Sequence, residues 1–153
     1  MKKVLFILLT LSLFSCLTEP RKEIKKEQIE NYSKPEPIED KKIIFSNIAE
    51  GKYPTDINIF ENTDFTKRLK NLIGNRYDFL IDYWNLEMPI ELNSKVYIFK
   101  GCQRHNCHDT SFIITYNLSL NYLSVGIRNE TVVETFSERD YHPSEIDDWK
   151  NDW

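Results

Sequence analysis

Between residues 90 and 136 the chain alternates β-rich stretches with short breaks, and this pattern limits its fold more than any other feature. Ile90 to Leu92 and Lys95 to Lys100 flank Asn93-Ser94, a turn-forming pair. Ser111 to Tyr116 is aromatic and β-branched, and Asn117 to Asn121 can turn the chain. Leu123, Val125 and Ile127 then recur at alternate positions, which suits a half-buried strand. Arg128-Asn129-Glu130 reads as another turn and Thr131 to Phe136 as a last strand. Four or five short strands this closely spaced leave no room for crossover helices and imply an antiparallel meander.

The residues before the strands have helical spacing. Asp64 can cap a helix in which Phe65, Leu69, Leu72 and Ile73 fall on one face, and Gly74 is a natural stop. A second short helix or turn is expected through Tyr77, Leu80, Ile81 and Trp84. Helices leading into a meander predict an α+β fold: a central antiparallel sheet of about five strands, with helices on one face. A short terminal helix is expected from Pro143 through Glu145, Ile146 and Trp149.

The amino terminus reads as an export signal over residues 1–15. Lys2 and Lys3 precede an apolar run, Val4 to Leu11 with Leu13 and Phe14, that is short for a membrane span. Leu13-Phe14-Ser15-Cys16 resembles a bacterial lipobox, which implies acylation of Cys16 and more than one lipid chain for stable anchoring. From residue 16 to 42 the charges are mixed, prolines recur and apolar residues are few, so this stretch reads as a flexible tether. The folded domain is then 43–153. The expected location is the cell envelope, lipid-anchored and facing the periplasm or the cell surface. Leu17 after the lipidated Cys favours the outer over the inner membrane. The net charge is −4 before Lys2 and Lys3 leave with the signal, so the chain disfavours nucleic acid and suits a basic partner.

With Cys16 lipidated, Cys102 and Cys107 remain, and an exported chain favours a disulfide between them. A link over so short a loop stabilises the whole fold by only about 2 kcal/mol. Its greater use is to fix Gln103, Arg104, His105 and Asn106 before binding, which reduces the entropy lost on binding. His105 is expected at the tip, projecting outward with Arg104 and Asn106 on a protruding, disulfide-closed loop.

Cys102-Gln103-Arg104-His105-Asn106-Cys107 resembles the Cys-Lys-Pro-His-Asp-Cys loop of the Ivy-type inhibitors of vertebrate (c-type) lysozyme. Both cysteines and the histidine stand at matching places, while Gln103, Arg104 and Asn106 replace Lys, Pro and Asp. The surrounding order is also similar over roughly 45–140: a helical opening, the hydrophobic stretch Tyr77 to Trp84, a Val-Tyr strand into the loop and further strands after it. The resemblance implies a lysozyme-inhibitor-like domain whose loop enters the lysozyme cleft and brings His105 to the catalytic acids. A retaining glycosidase holds its two carboxyl groups about 5–5.5 Å apart. A protonated imidazole donates from opposite sides and can bridge such a pair. The implied partner is a c-type lysozyme, and the implied role is protection of peptidoglycan.

Other readings compete. Cys102, His105, Cys107 and His108 are four possible metal ligands in seven residues, but one loop closes a tetrahedral site poorly and export favours oxidised cysteines. No Cys-x-x-Cys opens a helix, and no Ser/His/Asp order or paired-carboxylate motif stands out, so no enzyme, metal or cofactor is expected. Asp147 and Asp148 read as a solvated helix face, and His142 as a loop residue. Tyr77, Tyr83, Trp84, Tyr97 and Phe99 read as packing rather than a sugar-binding surface. The alternative function is a tethered surface lipoprotein that binds an unknown ligand without inhibiting lysozyme. Monomer and homodimer both remain open.

Overall fold

The computed structural model of this chain describes residues 42, 43, 45 and 50–152. The expected signal segment, Cys16 and the tether up to residue 41 lie outside the described residues. Two short 3-10 helices, Pro54–Ile57 and Ile59–Glu61, lead into helix α1, Thr63–Ile73. The α1 cap is Asn62 rather than Asp64: its extended backbone lets Oδ1 accept from Phe65 N at 3.0 Å. Asp64 instead sits in the first turn, where its charge suits the helix dipole. Gly74 ends the helix as expected, with φ 54°. Phe65, Leu69 and Ile73 form the buried stripe. Helix α2, Arg76–Tyr83, buries Leu80 and delivers Trp84 immediately after its last turn.

Six antiparallel strands follow: β1 Leu86–Glu87, β2 Glu91–Asn93, β3 Val96–Cys102, β4 Thr110–Asn117, β5 Tyr122–Asn129 and β6 Val132–Ser137. β3, β4, β5 and β6 pair in sequence order, and β1 and β2 share the outer edge of β3. Pro89 lies between those two edge strands and has no N–H to give the ladder. Three details of the strand reading are corrected. Ile90 is a core residue whose backbone pairs with Gly51 and Lys52, not with β3. The hairpin turn is Ser94-Lys95, both at positive φ, so the register sits one residue later than Asn93-Ser94 implies. β5 continues through Arg128 and Asn129, and the turn is Glu130-Thr131 with Glu130 at φ 56°.

The register sets two faces. Phe99, Phe112, Ile114, Leu123, Val125 and Ile127 share the face that meets Phe65, Leu69, Ile73, Leu80 and Trp84, so the leading helices cover one side as expected. Helix α3, Ser144–Asn151, covers part of the other side, packing Ile146 and Trp149 on Val96, Ile98 and Ile113. β5 is therefore buried on both faces from Tyr122 to Ile127, where alternation alone predicts one wet face. Gly126 makes this possible: a Cβ there would stand 2.5 Å from the Trp149 ring.

A buried polar cluster fastens α1 to the far end of the sheet. Arg68 donates from Nε to Glu138 Oε1 at 2.9 Å, from Nη2 to Glu138 Oε2, and from Nη1 to Asn121 Oδ1 at 2.9 Å. Glu138 also accepts Leu123 N at 2.8 Å, and Tyr116 Oη donates to Asn121 Oδ1 at 3.0 Å. Ile43 N donates to Tyr116 Oη at 3.1 Å, and Phe45 packs edge-on against Phe65, so both residues belong to the core.

Candidate functional site

The chain between β3 and β4 forms a compact loop closed at its base by a Cys102–Cys107 disulfide. Cys102 is fully buried at the end of β3, while Arg104 and His105 are exposed. Gln103 N donates to Thr110 O at 3.0 Å, which continues the β3–β4 ladder one step beyond the strands. Gln103 O then accepts Asn106 N at 2.9 Å, making Arg104 and His105 the two central residues of a tight turn. His105 has φ 65°, a left-handed conformation that His adopts more readily than most non-glycine residues.

His105 and Arg104 thus stand outward together, as the sequence reading expects. Asn106 does not. It is half-buried, and its Nδ2 donates to Gln103 Oε1 at 2.9 Å. Its carbonyl accepts both Asp109 N at 3.2 Å and Thr110 N at 2.9 Å. Asn106 is a staple inside the loop, and Gln103 is its partner there. Beyond the loop, His108 Nδ1 and Asp109 Oδ1 lie 3.0 Å apart on an exposed shoulder. The disulfide occupies both sulfurs that a metal site on this loop would need as thiolates.

Two supports outside the loop hold it. On the β4 side, Asp109 O accepts Glu130 N from the β5–β6 turn at 2.6 Å. On the β3 side, the support is the four residues after α2. Trp84 lies on Gly101, where a Cβ would stand 2.3 Å from its ring, and stacks on Phe112. Its Nε1 donates to Glu87 Oε1 at 2.9 Å. Glu87 Oε2 meanwhile accepts Thr55 N and Oγ1 at 3.1 and 2.8 Å, tying the 3-10 segment to the same place. Asn85 N donates to Cys102 O at 3.2 Å, and Asn85 Oδ1 accepts Arg104 N at 2.6 Å. Leu86 pairs with Cys102 in the ladder.

Sequence reasoning missed Asn85, Trp84 and Gly101 as parts of the site. An Asn between a helix and a strand reads as a turn residue, and its true partner lies 19 positions away. Among the aromatics named from sequence, Trp84 and Phe99 are core residues, whereas Tyr83 keeps 36% of its surface exposed. Tyr53 and Leu86 are also exposed beside Arg104, so an apolar margin adjoins the base of the loop.

The geometry gives a rigid, outward-facing loop that presents one imidazole and one guanidinium. Comparison with known proteins adds one result: a family model described as Inhibitor of vertebrate lysozyme (Ivy) matches residues 64–153, from the first turn of α1 to the end of the chain. No curated protein and no solved structure matched.

Proposed function

Because this chain belongs to the Ivy family of inhibitors of vertebrate lysozyme, we propose that it blocks a c-type lysozyme by placing the Cys102–Cys107 loop in the active-site cleft. The observation that carries this reading is His105, exposed at the centre of a turn fixed by a disulfide and a ladder hydrogen bond. The paired carboxyl groups of a retaining glycosidase stand about 5–5.5 Å apart, and an imidazolium can donate to both. Each such charge-assisted bond contributes on the order of 1.5–3 kcal/mol. Arg104 adds a second positive group beside the acids. The chain's net charge of −4 steers it toward a basic enzyme.

The amino-terminal pattern extends the proposal. Acylation of Cys16 would hold the domain at the cell envelope, on the outer membrane rather than the inner, where it would protect peptidoglycan. Whether the chain acts as a monomer or a homodimer is open to a sedimentation measurement.

The test is lysis of a peptidoglycan suspension by c-type lysozyme with residues 17–153 added, beside His105→Ala. Wild type should suppress lysis and His105→Ala should not, with unchanged circular dichroism. Equal inhibition by both proteins would sink the role given to His105, and no inhibition by wild type would sink the c-type target.

A further inference from the structure

We propose that Asn85 is a positioning residue for the loop tip: its side-chain oxygen holds the Arg104 N–H and so sets the direction in which His105 is presented. The inference rests on the loop reading given above and deepens it. Arg104 is the first central residue of the turn and His105 the second, so whatever fixes the Arg104 peptide aims the imidazole. The disulfide constrains only the ends of the turn. At its centre the Arg104 N–H would otherwise face solvent, and it meets Asn85 Oδ1 at 2.6 Å.

Asn85 is itself rigidly placed. Its own N–H donates to Cys102 O at 3.2 Å, and Trp84 before it is wedged on Gly101. Leu86 and Glu87 after it pair with Cys102 and Gly101. The oxygen is therefore carried by the same strand edge that carries the disulfide, and it reaches across to the Arg104 amide, whose partner lies outside the loop. Asn85 is exposed, so its side chain has little to do for the core.

The variants separate positioning from folding. Asn85→Ala removes the acceptor. Asn85→Asp keeps an acceptor there, loses the 3.4 Å donation to Asp82 O and adds a negative charge, so it is read by exchange at Arg104 rather than by inhibition. Arg104→Pro removes the donor while suiting the first central position of the turn. Inhibition constants against c-type lysozyme are measured for Asn85→Ala, for Arg104→Pro and for the two combined. Amide hydrogen exchange of the free protein is followed by NMR. A net hydrogen bond of this kind corresponds to roughly a three- to tenfold change.

Asn85→Ala should weaken inhibition by that factor and speed exchange at Arg104 while the sheet amides keep their protection. Asn85→Asp should keep parental exchange at Arg104. In the Arg104→Pro background, Asn85→Ala should change nothing further. An Asn85→Ala protein with parental Arg104 exchange, or a penalty that persists with proline at 104, overturns the proposal. If the parent fails to inhibit, or if His105→Ala has no effect, the loop reading fails instead, and exchange at Arg104 still decides whether Asn85 holds the tip.

Discussion

Trp84 and Gly101 occupy each other's space: a Cβ on residue 101 would stand 2.3 Å from Cε2 of the indole and 2.4 Å from Cδ2. The ring is held from behind by Phe112 and by its bond to Glu87, so it cannot yield as a flexible chain end could. Gly101→Ala should therefore cost about 1–3 kcal/mol, the usual range for overpacking. Thermal unfolding followed by tryptophan fluorescence measures it, and an unchanged midpoint would show that the indole moves freely. Because Asn85 follows Trp84 directly, the same variant should also weaken inhibition.

The Arg68–Glu138 pair is nearly dry, with side chains 10% and 8% exposed. Glu138→Ala would leave the guanidinium buried without its carboxylate, on the neutral oxygens of Asn121 and Tyr116, and would also free Leu123 N–H. The expected loss is about 3–5 kcal/mol in equilibrium urea unfolding. Asp147→Asn, at the exposed pair with Lys150, should shift stability by less than about 1 kcal/mol. Equal effects from the two variants would contradict the buried reading.

Burial pushes the hydroxyls of Tyr116, Tyr122 and Tyr77 above their ordinary value of 10.0. Above that pH the unfolded chain has released protons that the folded chain still holds, so stability declines as pH rises. It is at full value below pH 10 and is lost from there upward through the raised folded-state values. Tyr116→Phe should flatten part of this alkaline decline, read as unfolding free energy across the range. A decline of the same slope would assign the effect to the other two tyrosines.

Cys102→Ser with Cys107→Ser removes a link that closes a loop of five residues' separation. The sheet should survive with a loss of about 2 kcal/mol or less. Inhibition should fall further than that figure alone accounts for, because the reduced turn must be ordered on binding. The inhibition constant of the double variant, set beside its unfolding free energy, checks this.

The sheet was legible because Ser111 to Tyr116 is aromatic and β-branched and apolar residues alternate from Leu123 to Ile127, patterns that mark strands before their register is known. The turns were less legible. Ser94-Lys95 adopts positive φ at both positions although Asn93-Ser94 has the stronger local preference, and the pairing of Asn93 with Val96 decides the matter. α3 was readable as a helix, but its docking place was not. The face it partly covers carries Thr115, Ser124 and Gly126, polar or small residues that look solvent-facing in the sequence yet are buried, Gly126 against Trp149. At the site, the cysteines and His105 are marked by type and spacing. Asn106 and Asn85 are ordinary polar residues whose parts depend on hydrogen bonds that only the folded chain makes.

Ile43 docks at the opposite end of β4 from the disulfide loop. Its backbone is held by Tyr116 near the last residue of β4, whereas the disulfide loop adjoins the first, Thr110. Six residue steps, from Thr110 to Tyr116, separate these two poles, about 20 Å at the rise of an extended chain. Ile43 thus docks at one pole of the sheet and the imidazole is the beak at the other, so a mutation or probe at the Tyr116 end leaves the beak untouched.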